Sequence, residues 1–133
     1  MVEEDRTLQR GVKFRIFLCT YVVKKHPIMD QLTPAEALQQ LAASGKISTD
    51  VFRYGSLVVE IYRPHKVDLQ QPHIRDEIYV VISGKGQFEC DGALTDFAPG
   101  DFLFVPAFAP HRFIDFSEDF ATWVFFYGPE GGE

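Results

Sequence analysis

Four side chains in the sequence have the types and the spacing to hold a metal ion. Gln71, His73 and Glu77 fall in the run QPHIRDE, and His111 follows much later, after a turn between Pro106 and Pro110. The first three share parity, so on an extended chain they point to one face, the inward face of a barrel. His111 belongs to a later strand, and antiparallel pairing can bring it against them. Two imidazoles and one carboxylate make the set that suits non-haem iron, with manganese, nickel and zinc as competitors, and the amide oxygen of Gln71 can take a further position. Such a site needs neutral imidazoles and an ionised Glu77, so affinity should fall below about pH 6. The same residues admit a second reading, an inward His73 bonded to Glu77 and a His111 that caps a turn. Spacing alone leaves both open.

Parity also nominates the surroundings. Tyr79 and Val81 share the face of Glu77, and Phe113 shares that of His111. Tyr79 is the candidate proton donor, Arg75 the candidate anchor for a substrate carboxylate, and Phe108 a residue that could narrow the mouth. An apolar pocket with one phenol and a metal suits a small organic acid or enol rather than a large charged sugar. Arg112 has the opposite parity to His111 and reads as a surface charge. His65, in a turn after Pro64, and His26, in the KKHP stretch, read as exposed, and Cys90 reads as packed. No second paired carboxylate, GxSxG elbow or phosphate-cradling loop stands out, and Gly84-Lys85-Gly86 reads as a hairpin.

These residues must be positioned by a β-rich scaffold. Thr33-Pro34-Ala35-Glu36 is a capping box with Pro at the first helical position, and it predicts one helix running to about Ser44, where Gly45 stops it. Ala37, Leu38 and Leu41 form its apolar stripe. Beyond it, branched and aromatic runs alternate with Gly, Pro and Asp, which predicts strands near 51–54, 57–63, 67–71, 77–83, 86–90, 102–105, 110–116 and 121–127. Asp91-Gly92 and Pro99-Gly100-Asp101 read as tight turns. The expected division is an extension over 1–28, helix and linker over 29–50, a β-barrel over 51–128 and a frayed tail over 129–133. The apolar run Phe14 to Val23 follows acidic residues, contains Arg15 and has half the length of a membrane span, so it reads as an edge strand rather than an export signal. Met29 is a second candidate start.

At 133 residues the chain has room for one core, and 46% apolar residues with thirteen Phe supply it. A formal charge of -6 with no basic patch argues against nucleic acid and anionic membrane as partners. Cys19 and Cys90 have neither metal-site nor disulfide spacing, which fits a reducing, cytoplasmic compartment. Open strand edges and the apolar N-terminal positions Val12, Phe14, Ile16 and Leu18 predict a homodimer.

The stretch from about Arg63 to Asp115 resembles the two signature motifs of the cupin superfamily, small β-barrels of jelly-roll type. The first motif places a Gly, an HxH pair, a Glu and a Gly at set intervals. Here Gln71-Pro72-His73, Glu77 and Gly84 fall in its register, without the leading Gly and with Gln71 in place of the first His. The second runs Gly, PxG, His, Asn, and Gly100, Pro106, His111 and Asp115 match it, with Phe108 where the family has Gly. The resemblance implies an all-β fold, a single cupin-type jelly-roll barrel with one short N-terminal helix. It also implies a divalent transition metal (Fe, Mn, Ni or Zn) bound by His73, Glu77, His111 and Gln71, since cupin-like phosphomannose isomerases hold zinc with a Gln, His, Glu, His set. Many cupin-like domains also pair. The family spans dioxygenases, isomerases, lyases and proteins that only bind a ligand, so the function implied is a barrel that acts on or binds a small oxygenated organic molecule, with a metal-free regulatory barrel as the alternative.

Overall fold

A computed structural model describes residues 31–133; the expected N-terminal edge strand, Met29, His26 and Cys19 lie outside them. The first element is α1, Pro34–Ser44. Its capping box is complete: the backbone N–H of Glu36 donates to the Thr33 hydroxyl at 3.2 Å, and the Thr33 N–H donates to the Glu36 carboxylate at 2.8 Å. That bond holds the Glu36 carboxyl below its ordinary value. Gly45 closes the helix in the left-handed region at φ 68. The helix buries Ala37 and Leu41 against Ile61, with Leu38, Val51, Ile82 and Trp123 around them.

Eight strands follow: β1 Ser48–Tyr54, β2 Leu57–Tyr62, β3 Asp76–Ser83, β4 Gly86–Cys90, β5 Ala93–Phe97, β6 Phe102–Val105, β7 His111–Ile114 and β8 Ala121–Tyr127. They form two antiparallel sheets, ordered β1-β2-β8-β3-β6 and β5-β4-β7. Non-sequential neighbours in both sheets are the mark of the jelly roll. The inner faces meet over an aromatic core of Tyr62, Tyr79, Phe88, Phe97, Phe113 and Phe120. Gly84, which opens the turn between β3 and β4, has φ 81, and a side chain there would collide with the Phe120 backbone at 2.5 Å. Only glycine fits that place.

Three expectations need correction. Residues 67–71 form no strand; they belong to the loop between β2 and β3, where the buried Asp68 accepts the Tyr62 hydroxyl at 2.6 Å, the Gln70 N–H at 3.0 Å and the Phe113 N–H at 2.8 Å. A carboxylate that gathers donors from its own loop competes with ladder bonding. Strand β5 was not expected, although the Asp91-Gly92 turn, with φ 50 and 82, is the hairpin that creates it. The tail expected to fray is tied down: Gly131 N–H donates to Ile74 O at 2.6 Å and Glu133 N–H to Asp76 Oδ2 at 3.0 Å.

Candidate metal centre

Glu77 lies on β3 and faces the barrel interior, 1% exposed. Its Oε2 sits 2.7 Å from His73 Nδ1 and 3.3 Å from His111 Nε2. One ligand atom from each of the three residues lies within 4.8 Å of the others. His111, the first residue of β7, reaches the group because β7 pairs with β4 in the facing sheet. His73 comes from the loop before β3, and its carbonyl accepts the Phe108 N–H at 2.7 Å, so the loop bearing His73 is tied to the turn that leads into β7.

The electrostatics favour a cation at this point. Burial opposes ionisation of Glu77, but hydrogen bonds from His111, His73 and Tyr79 outweigh it and hold its carboxyl down at about 2. Burial likewise opposes a charge on His111, and its bonds to Glu77 and Ala109 outweigh that, raising its pKa. The Ala109 carbonyl, 2.8 Å from Nδ1, can only accept, so Nδ1 carries a proton and Nε2 is the atom turned to Glu77. A neutral Nε2 facing a carboxylate oxygen puts two lone pairs together, and either a proton or a metal ion between them relieves the contact. Glu77 Oε1 is moreover buried without a hydrogen-bond partner among the described residues. An orphaned carboxylate oxygen beside two imidazoles fits a divalent transition metal, whose coordination satisfies it.

The nominated residues divide. Tyr79 is fully buried, and its hydroxyl donates to Gln70 Oε1 at 2.9 Å and stands 3.0 Å from His111 Nε2. Burial, reinforced by the charge of Glu77, pushes its pKa well up, so the phenol keeps its proton. Val81 and Phe113 are core residues rather than pocket lining. Gln71 is exposed and lines a cleft of about 350 Å³ that also touches His111; the glutamine that reaches the group, through Tyr79, is Gln70. Regular strand begins only at Asp76, so strand parity governs neither Gln71 nor His73, which both lie in the loop before β3. Arg75, expected to anchor a substrate, instead donates to the carbonyls of Gly128, at 3.1 Å, and Ser56, and lines neither cavity beside the group. Phe108 is 59% exposed with φ 67, which explains the family's glycine at that position. Arg112 pairs at the surface with Glu89, His65 is exposed, and Cys90 packs against the core, as expected.

A second cavity, of about 220 Å³, opens on His73 and Glu77 and is walled by Ile47, Leu69, Val124 and Phe126. Glu60 also lines it, which corrects the expectation of a purely apolar pocket with one phenol. Burial first, then the adjoining Asp50, pushes the Glu60 carboxyl up to about 7. A lone charge inside the apolar run LVVEIY was the signal that could have found it.

Fold and donor set together define a jelly-roll barrel with a two-histidine, one-carboxylate group in its interior. The Cupin_2 family model of the cupin domain matches residues 58–127, more than half of the chain, and the chain belongs to this family. It is 40% identical over 63 residues to the uncharacterized protein SCO3923 of Streptomyces coelicolor, a match covering 47% of this chain and 60% of that protein. The plu4264 protein from Photorhabdus luminescens shares the fold with a TM-score of 0.55 at 13% identity, over 77% of this chain and 88% of that one. A chain described with the DMSP lyases RdDddP and RnDddQII superposes with a TM-score of 0.50 at 30% identity, covering 58% of this chain and 41% of that one. The chain therefore spans less than two thirds of the length of both the Streptomyces relative and the lyase. Among the described residues no helix is long and apolar enough to cross a membrane.

Proposed function

We propose that His73, Glu77 and His111 hold one divalent transition metal (Fe, Mn, Ni or Zn) and that the protein is a cytoplasmic enzyme acting on a small oxygenated organic acid, in a lyase or isomerase reaction. The observation that carries this is the unpartnered Glu77 Oε1 within a group of three convergent ligand atoms. When bound, the metal supplies Lewis-acid polarisation of an oxygen ligand and acidifies bound water. The remaining work falls to the chain. The Ala109 carbonyl fixes the His111 tautomer. Tyr79 holds a proton on its hydroxyl beside His111 Nε2, within reach of a molecule seated at the group, and Gln70 orients that hydroxyl. Val124 and Phe126 give the cavity side an apolar lining. The 30% identity to a chain described with the DMSP lyases supports the lyase reading. A homodimer belongs to the same proposal, supported by Phe102 and Phe104, 63% and 48% exposed on the edge strand β6.

The test is a titration of cobalt-loaded protein with small hydroxy and keto acids, followed by visible absorption. The expected result is a shift of the cobalt bands in the wild type and its loss in His111→Ala. Bands that no acid perturbs, or a shift that survives His111→Ala, would contradict an open catalytic centre and favour the non-catalytic, ligand-binding barrel.

A further inference from the structure

Strand register sets Glu60 across the sheet from the proposed centre. On the inner face Glu60 of β2 stands opposite Val124 of β8, and Val124 stands opposite Tyr79 of β3. One row higher, Val58, Phe126 and Glu77 are aligned in the same way. With strands about 4.8 Å apart, Glu60 and Tyr79 face the interior from backbones about 10 Å apart. The cavity of about 220 Å³ lies between, lined by both Glu60 and Glu77.

The chemistry of this space is unusual for its size. Its walls at Ile47, Leu69, Val124 and Phe126 are apolar, and among the described residues its ionisable groups are the carboxyls of Glu60 and Glu77 with the His73 imidazole, and no Lys or Arg lines it. Asp50, the cross-strand neighbour of Glu60, is another carboxyl, and the nearby Arg53 is spent on Asp50 at the surface. Glu77, whose buried Oε1 has no hydrogen-bond partner among the described residues, lines the same cavity. Two carboxyls, with the aromatic residues Tyr62 and Phe126 also in the lining, surround a small space suited to positive charge.

We propose that Glu60 determines the specificity of this cavity, selecting small organic acids that carry a compact cationic group at the end remote from the His73, Glu77 and His111 group. The assignment rests on the metal-site reading for the carboxylate end of the ligand, while the cationic end depends on Glu60 alone. A cation seated there would offset, by its own charge, the burial and the neighbouring Asp50 and Glu77 that push the Glu60 carboxyl up. The volume lies below that of ordinary drug-sized pockets, which restricts the ligand to a few heavy atoms.

The probe is a matched pair, glycine betaine and tert-butylacetic acid, which share size and carboxylate and differ in the charge of the tail. Zinc affinity is measured first by calorimetry, and the two acids are then titrated into zinc-loaded wild type, Glu60→Gln and Glu60→Asp. The expected result is a preference of about tenfold for the betaine in the wild type, one charged contact's worth. It should persist in Glu60→Asp and collapse to within about twofold in Glu60→Gln. All three proteins should bind zinc alike, which shows that the variants fold. Equal affinities in the wild type, no binding of either acid, or a preference that survives Glu60→Gln would overturn the assignment. If zinc itself fails to bind, the metal reading falls separately, and tetramethylammonium alone becomes the probe. Amide shifts at Val124 and Phe126 that Glu60→Gln abolishes would then uphold the cation site, and their absence would overturn it.

Discussion

Two neighbouring regions of the barrel interior are built from opposite chemistry. In one, Phe88, Phe97, Phe113 and Phe120 pack ring against ring with centroids 4.6 to 5.3 Å apart. In the other, His73, Glu77, Tyr79 and His111 crowd polar atoms together and leave one carboxylate oxygen without a partner. Tyr79 joins them, its ring edge-on to Phe88 and Phe113 and its hydroxyl on His111. The contrast teaches that the aromatic region supplies stability, which the polar region spends on holding an unsatisfied charge in place.

The largest effect should come from breaking the aromatic side. Phe120, fully buried, loses its ring contacts in Phe120→Ala, and the cost should be about 3–5 kcal/mol in denaturant unfolding. Glu77→Gln in metal-free protein should also destabilise, but by less: the lowered pKa marks the ionised carboxylate as favoured in the fold, and the amide keeps part of its hydrogen bonding. A loss equal to that of Phe120→Ala would erase the distinction between the regions.

A smaller effect, with a pH signature, belongs to Glu60. Its folded carboxyl titrates at about 7, above the ordinary 4.5, so the folded state holds the proton more tightly. Stability from this group is therefore present below pH 4.5 and declines as pH rises towards 7. Glu60→Gln should flatten that decline, gaining on the order of 1 kcal/mol over the wild type at pH 8 once partial exposure is allowed for. Thermal melts at both ends of the range measure it. A constant difference between the two proteins would show that Glu60 keeps an ordinary pKa.

The smallest effect tests the turn that ties the regions together. Phe108 holds a left-handed φ of 67 while 59% exposed. Phe108→Gly should stabilise by roughly 0.5 kcal/mol, relief of strain outweighing lost apolar contact. A loss above about 1 kcal/mol would show that the ring packs rather than merely occupies the turn.

Much of this was legible in the residues. The helix could be read from its capping box, stripe and terminal glycine because all three are local signals. The pairing of His73 and Glu77 with the distant His111 was readable from motif spacing. Parity presumes a strand, and the chain at Gln71 and His73 is a loop that Asp68 organises through contacts distant in sequence, such as the Phe113 N–H. The same loop looked like a strand because Val67 and Leu69 alternate with polar residues, yet both are exposed. Glu60 was overlooked because its cavity exists only once β2, β8 and β3 are laid side by side.

The most direct test of the metal centre is metal content. Wild type purified without chelator, with Glu77→Ala and Gln71→Ala prepared in parallel, should be assayed by elemental analysis and then by zinc titration. The wild type should retain about one equivalent of a transition metal, held by His73, Glu77 and His111 with a further position left open. Glu77→Ala should lose most of it, and Gln71→Ala, whose side chain is exposed, should lose little. Wild type that carries less than about a tenth of an equivalent and rebinds none would contradict the account, because Glu77 Oε1 would then be orphaned for some reason other than a metal.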